Sequence, residues 1–273
     1  SAAAARLFSY SEEYCEASRA RRSQRGPTPF LERPLAEPSD EWRAVDLARF
    51  IRYFQHPTKY LLRERLRIRL EDEAGLLESR EPFILDGLAT YGLRQELLDL
   101  RLARGSLDDS WEIARAGGRL PQGRVGEVCF AAEAETVETV ARRIEARRAA
   151  GRLDPIRVEL DLGPVRLTGW LTGVTPQGLL EYRPTTAKPK DWIGLWVRHL
   201  LLCSLRPPGA ACESRWLGED QEIVLEAVAD SVPHLTTLAG IYWAGLSRPL
   251  PLFPEASFHF AERLRKGQSD AQA

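Results

Sequence analysis

The spacing of hydrophobic positions along the chain changes several times, and each change marks an element. Residues 1–40 are polar, dotted with arginine and interrupted by Pro27, Pro29, Pro34 and Pro38. They read as an extended lead-in that packs against something rather than folding alone. From Asp46 a helical period begins: Leu47, Phe50, Ile51 and Phe54 recur on one face, and Pro57 opens a second helix through Tyr60, Leu61 and Leu62. Residues 65–70 (Arg65-Leu66-Arg67-Ile68-Arg69-Leu70) alternate strictly, which predicts a strand with an arginine face and an aliphatic face. Asp86 is placed to cap a helix carrying Leu88, Tyr91, Leu97 and Leu98, and a shorter helix is expected over 109–116.

Residues 120–127 read as a loop, followed by a helix over 136–149 with Val137, Val140 and Ile144 facing inward. Three strands are expected over 156–162, 165–174 and 179–183, with tight breaks at Gly163-Pro164 and Pro176-Gln177-Gly178. An amphipathic helix over 190–205 carries Trp192, Leu195, Trp196 and Leu200. A strand near 212–217, a partner at 223–225, and helices over 235–246 and 256–264 complete the chain. There is no internal repeat. The organisation expected is a lead-in of residues 1–40 and one domain over 41–273, helical to about residue 150 and sheet-containing from about 151.

The order helix, strand, strand, strand, helix, strand in the second half is that of the PD-(D/E)XK, or restriction-endonuclease-like, nuclease fold, although many α/β domains share it. The fold class expected is therefore α/β, with a degenerate restriction-endonuclease-like core and flanking helices. Metal-assisted phosphodiester cleavage needs hard oxygen ligands for magnesium and a cation near the developing negative charge. In this fold the second strand supplies an aspartate, and the third an acid with a lysine two positions later. Residues i and i+2 of a strand project to one side, which explains the spacing. Here Thr172 stands where aspartate is wanted, Glu181 is an acceptable acid, and Arg183 stands where lysine is usual. Threonine brings no charge, and arginine cannot act as a deprotonatable amine. A site without catalytic residues is expected, and no metal. The ordinary reading of the two charged residues is a same-face ion pair between Glu181 and Arg183.

Composition changes the picture in two places. Four of the 38 basic residues are lysine (Lys59, Lys188, Lys190, Lys266), leaving 34 arginines. That bias reflects either codon usage or recognition of phosphate and carboxylate by the guanidinium fork. The four cysteines, Cys15, Cys129, Cys203 and Cys212, have no CxxC spacing, which argues against a zinc or iron–sulfur site and fits reduced thiols in a cytoplasmic protein. A net charge of -1 exerts no global pull toward DNA or membrane, and no apolar run approaches the ~20 residues of a membrane span. The opening Ser1-Ala2-Ala3-Ala4-Ala5 lacks a basic leader and is not expected to be a signal peptide. No GxxxxGK[ST] loop occurs, so no ATPase motor is expected in this stretch.

Further motifs carry a resemblance. Phe54-Gln55-His56-Pro57, the run Glu81-Pro82-Phe83-Ile84-Leu85-Asp86-Gly87-Leu88, Leu120-Pro121 with Gly126-Glu127, and Gly169-Trp170-Leu171 together resemble the C-terminal domain of the RecC family. RecC is the gamma subunit of the exodeoxyribonuclease V (RecBCD) helicase–nuclease. The resemblance runs from about Leu7 to the end. It implies a nuclease-like domain that has lost its active site, lying within a non-catalytic subunit that contacts both motor subunits and helps split and channel duplex DNA. Implied partners are DNA (a duplex end or fork) and RecB-like and RecD-like subunits, with no membrane and no cofactor. Also implied are a role in double-strand break repair by recombination, no enzymatic activity of the piece alone, and a much longer parent subunit.

Candidate DNA contacts are Arg65, Arg67 and Arg69 and, on the helix over 136–149, Arg143 and Arg147. The arginine cluster Arg19/Arg21/Arg22/Arg25 and the neighbours Arg142 and Arg148 belong to the same class. The competing reading of all of them is a solvated face interleaved with acids such as Glu64 and Glu145. His56 before Pro57 is expected to cap or pack, His199, His234 and His259 are assigned no chemistry, and Trp192 with Trp196 is expected to pack. Two other functions stay open: a live metal-dependent nuclease using Glu181 with a recruited acid such as Glu127, and a protein–protein module that never touches DNA.

Overall fold

A computed structural model describes residues 11–22, 30–69, 85–118 and 120–267. The chain divides into two compact units, Ser1–Leu35 and Ala36–Ala273. In the first, Glu12–Arg22 forms a helix (α1) inside the segment expected to be extended, with Glu12 and Glu13 in its first turn, where negative charge complements the helix dipole.

The second unit opens with a short strand, β1 (Ala44–Asp46), running into α2 (Leu47–Gln55). Asp46 caps that helix, its Oδ1 accepting from the Ala48 amide at 2.8 Å. His56 ends α2 by donating its N–H to the Arg52 and Tyr53 carbonyls, and Pro57, at a position needing no N–H, opens α3 (Pro57–Tyr60). Thus the Phe54-Gln55-His56-Pro57 motif is a helix junction. Phe50, Tyr53 and Phe54 of α2 meet Tyr60 and Tyr242 in an edge-to-face aromatic cluster, with the Tyr60 and Tyr242 hydroxyls 3.2 Å apart.

The strand expected over 65–70 is not present in its described part. The backbone stays helical, as a π-turn over Leu61–Arg65, and Arg67 adopts a positive φ of 58°. Alternation makes a strand where a neighbour takes the backbone hydrogen bonds and a core takes the aliphatic face. Here Ile68 is exposed and it is Leu61 that is buried.

α4 (Gly87–Arg104) is capped by Asp86, whose Oδ1 accepts from the Ala89 amide at 2.6 Å. After α5 (Ser110–Ala116) comes α6 (Gly123–Arg148), which begins inside the segment expected to be a loop. Gly126 explains that part of the motif: a Cβ there would lie 2.0 Å from the Pro121 carbonyl oxygen, so Pro121 can fold back onto the first turn of α6 only against glycine. Leu93, Leu97 and Leu98 of α4 pack with Val137, Val140, Ala141 and Ile144 of α6, both sets recurring at helical spacing.

The remaining elements are β2 (Ile156–Asp161), β3 (Arg166–Leu171), β4 (Val174–Thr175), β5 (Gly178–Tyr182), α7 (Pro189–Leu205), β6 (Ser214–Leu217), β7 (Glu222–Leu225), α8 (Ser231–Gly245) and α9 (Pro254–Arg265). They form a mixed α/β unit with two small mixed sheets. One has the order β1-β3-β2, with β1 parallel and β2 antiparallel to β3. The other has the order β4-β5-β6-β7, with its central pair β5–β6 parallel and the outer pairs antiparallel. The long strand expected over 165–174 is broken at Thr172-Gly173, where Gly173 takes a φ of 79° that a side chain rarely tolerates. That break passes the chain from the first sheet to the second.

Period two along β5 then sorts its side chains. Leu179 enters a core shared with α2, α7 and α8, while Leu180 and Tyr182 join the α4–α6 layer. On β6, Trp216 enters the first core and Leu217 the second.

Candidate functional site

The Thr172-Gly173 break, the end of β5 and one side of α7 border a cleft of about 820 Å³. Thr172, Glu181 and Arg183 all line it, so the three positions singled out in the sequence come together. Glu181 and Arg183 follow Leu179 on the face of β5 that lies under α7. That helix answers with Asp191 and Arg198, two turns apart and therefore on one face.

The expected pairing of Glu181 with Arg183 is replaced by two pairs to α7. Arg198 Nε lies 3.1 Å from Glu181 Oε1, and Arg183 Nη1 lies 3.0 Å from Asp191 Oδ1. Asp191 is buried and doubly used, its other oxygen accepting from the Lys188 amide at 3.0 Å as the third helical residue of a capping arrangement. Burial pushes the Glu181 carboxyl above its ordinary value, outweighing the attraction of Arg198 and Arg183, with Asp191 adding to the rise.

Two further arginines reach the cleft: Arg52 from α2 and Arg152 from the connection into β2. Among the described residues neither has a carboxylate partner. The cleft therefore carries four guanidinium groups against two carboxylates. These residues do not fit a divalent cation. Thr172 brings no charge, each carboxylate already holds an arginine, and the extra arginines repel a metal ion. Among the described residues no group of three or more His, Cys, Asp or Glu side chains could hold a metal.

The other sequence candidates are dispersed. Arg65 donates from Nη2 to the Ala36 carbonyl at 2.9 Å and lies over the Trp42 ring, whereas Arg67 and Arg69 are exposed. Arg143 donates to the Gly218 carbonyl at 2.8 Å, and Arg147 pairs with Glu222 at 3.1 Å, so both tie α6 to the second sheet. Glu127 lines a different cavity, of about 460 Å³, beside Trp111 and Arg115. His56 is exposed, and at the junction of α2 and α3 it is its backbone N–H, not its ring, that caps. Trp192 meets Phe258, and Trp196 stacks on His199. His199 itself is fully buried. Its Nε2–H donates to the Glu226 carbonyl at 2.9 Å, which leaves Nδ1 to accept from the Ser214 hydroxyl at 2.8 Å.

Sequence reasoning missed Arg52, Arg152, Asp191 and Arg198. For the last two a signal existed, since opposite charges seven residues apart on an amphipathic helix form a polar stripe.

The arrangement defines a mixed α/β domain with a cleft lined by four arginines and two carboxylates. Residues 42–265 match the RecC C-terminal domain, and the chain belongs to that family. It is 30% identical over 230 residues to the RecBCD enzyme subunit RecC of Escherichia coli (strain K12), covering 83% of this chain and 20% of that protein. To the subunit of the same name from Mycobacterium tuberculosis (strain ATCC 25618 / H37Rv) it is 27% identical over 252 residues, 89% of this chain and 22% of the relative. To that of Buchnera aphidicola subsp. Acyrthosiphon pisum (strain APS) it is 21% identical over 179 residues, 66% of this chain and 16% of the relative. The chain thus spans about a fifth of the length of the curated relatives it matches. Among the described residues no helix is long and apolar enough to cross a membrane.

Proposed function

We propose that the chain is the non-catalytic, nuclease-like domain of a RecC-type subunit. It scaffolds a cytoplasmic helicase–nuclease with RecB-like and RecD-like partners, and helps split and channel duplex DNA during double-strand break repair by recombination. Family membership supports the identity of the subunit. Topology supports the nuclease-like core. If β3 and β4 count as one bent strand, α6 is followed by three antiparallel strands, the crossing helix α7, and β6 parallel to β5. A parallel partner reached through a helix is what that fold requires.

One observation carries the non-catalytic reading. Thr172, Glu181 and Arg183 converge on one cleft, and there the Glu181 carboxylate is occupied by Arg198 rather than left open for a metal. An acid recruited from Glu127 does not rescue the site, because that residue opens onto another cavity. The test is a nuclease assay of the purified chain on forked and linear DNA with magnesium or manganese. No cleavage above a protein-free control is expected. Cleavage that disappears in Glu181→Ala would overturn the reading.

A further inference from the structure

We propose that Cys203 and Cys212 form an oxidation-sensitive pair, which a hydroperoxide converts into a disulfide clasping the end of α7 to the start of β6. Nothing in the pair depends on the function proposed above.

The chain brings the two cysteines together by turning back on itself. It leaves α7 with Arg206 at a positive φ of 42° and turns through Pro207-Pro208-Gly209, where Gly209 takes a φ of 81°. The Ala210 amide closes the turn on the Pro207 carbonyl. The returning segment is then held from two sides. The Ala211 amide donates to the Pro176 carbonyl at 3.0 Å, and the Glu213 carbonyl accepts from the Leu179 amide at 2.9 Å. Toward α7, the Ser214 hydroxyl donates to His199 Nδ1 at 2.8 Å. His199 and Cys203 lie one turn apart on one face of that helix. Cys212, between the turn and Ser214, thus passes the last turn of α7, and its thiol comes within hydrogen-bonding reach of the Cys203 thiol. Both cysteines are free.

The two sulfurs are unequal. Cys203 is buried, with its Sγ 3.6 Å from His199 Nε2. Burial pushes its thiol above the ordinary value, and a hydrogen bond from the Val228 backbone only partly opposes the rise. Cys212 is half-buried and is the sulfur that solvent reaches. Its thiolate attacks one oxygen of the hydroperoxide. The O–O bond breaks, leaving a sulfenic acid on Cys212, and the departing oxygen takes up a proton. The Cys203 sulfur then attacks the Cys212 sulfur. The S–O bond breaks, and the Cys203 thiol proton leaves with the hydroxide as water. Two thiols are oxidised to one disulfide, and hydrogen peroxide is reduced to two waters. In a reducing compartment the pair rests as thiols, and a thiol reductant reverses the bond.

The test treats the purified chain with hydrogen peroxide, removes the excess with catalase, and maps thiols by alkylation and mass spectrometry. Both cysteines lie in one tryptic peptide, residues 199–215, because Arg206 precedes proline. That peptide should become two hydrogens lighter and resist alkylation, and dithiothreitol should restore both thiols. The melting temperature should rise by about 5 °C, as expected of a cross-link closing a loop of about ten residues. Cys212→Ser should abolish the bond and the rise. In Cys203→Ala the oxidised Cys212 meets no second sulfur and should accumulate as a sulfenic acid captured by dimedone. Cys15→Ser with Cys129→Ser should oxidise as the wild type does.

Full alkylation of both thiols after peroxide would overturn the proposal, as would linkage of either to Cys15 or Cys129. A Cys203–Cys212 bond that forms only in urea would also overturn it, since the fold would not then be what holds the thiols together. The wild-type map needs no variant, so it decides the matter even if Cys203→Ala fails to fold.

Discussion

The two faces of the β4–β7 sheet use arginine in opposite ways. On the side of α4 and α6 four arginines are held by acids or backbone, while Arg148 lies over the Tyr182 ring with its Nε buried and unpaired. Arg94 bonds Glu133 and Glu219, and Arg101 bonds Glu138 and Glu145 at 2.6 and 2.7 Å. Arg143 takes backbone carbonyls, and Arg147 shares Glu222 with Arg215. On the side of α7, Arg183 and Arg198 are paired but Arg52 and Arg152 are not. The arginines named here therefore divide into a set held within the fold and a pair, Arg52 and Arg152, that is not. What separates them is whether the fold supplies an acceptor, carboxylate or backbone carbonyl. Net charge cannot reveal this, because it sums over both.

The sharpest way to break the comparison is to truncate one arginine from each side. Arg101→Ala should destabilise the chain by about 2 kcal/mol, because it strands two carboxylates that share one buried guanidinium. The figure is below the 3–5 kcal/mol typical of a fully buried pair because Glu138 and Glu145 are 36% and 45% exposed. Arg52→Ala should change stability by less than about 0.5 kcal/mol, as an exposed side chain without a partner. Urea unfolding followed by circular dichroism measures both. Equal losses would mean that Arg52 is structural and that the division is wrong.

The division was only partly legible in the sequence. Periodicity was enough for α2, α4 and α7 and for β2, β3 and β5, because each buries one face and the apolar spacing records it. It misled over the described residues 65–69, where the backbone leaves a π-turn and pairs with no strand, and at the start of α6. There Gly123, Gly126 and Pro121 look like loop residues until Pro121 is seen folded onto Gly126. That Glu181 and Arg183 share a face was legible, because the one-residue-in-two rule fixes a face once the strand is known, whereas the approach of Thr172 depends on the break between β3 and β4. The partners of Glu181 and Arg183 were not. They depend on how α7 lies across the sheet, which is a tertiary fact with only a faint trace in the Asp191 to Arg198 spacing.

The two sides should also respond differently to acid. On α7, burial holds the His199 imidazole below its ordinary value of 6.5, the Glu226 carbonyl only partly opposing the shift. The unfolded chain then binds a proton that the folded chain refuses. Stability from this group is complete above about pH 6.5 and falls as pH drops below it. On the other side, the Arg101 guanidinium hydrogen-bonded to Glu138 holds that carboxyl below the usual carboxylate range. Its contribution persists above the ordinary 4.5 and is lost only as pH falls through the lowered value. Between pH 7.5 and 5.5, proton uptake by the unfolded chain at His199 should lower the melting temperature, while the raised Glu181 carboxyl acts the other way. His199→Gln should be less stable at pH 7.5, by about 1–2 kcal/mol for the disturbed buried hydrogen bonds, with a flatter dependence on pH. A variant with an undiminished pH dependence would place the acid-sensitive group elsewhere.

The smallest effect is expected where the set held within the fold is most redundant. Arg147→Ala removes one of two arginines on Glu222, and Arg215 remains at 2.6 Å. Arg147 is also 41% exposed, so solvent already screens the pair. Stability should fall by no more than about 0.5 kcal/mol. The discriminating readout is DNA binding. Arg147 was a candidate phosphate contact by sequence, and its engagement with β7 predicts that Arg147→Ala leaves the salt dependence of oligonucleotide binding unchanged. A shallower slope in Arg147→Ala would show that arginines already paired to the sheet still exchange their carboxylates for phosphate. Satisfaction within the fold would then no longer separate one set of arginines from the other.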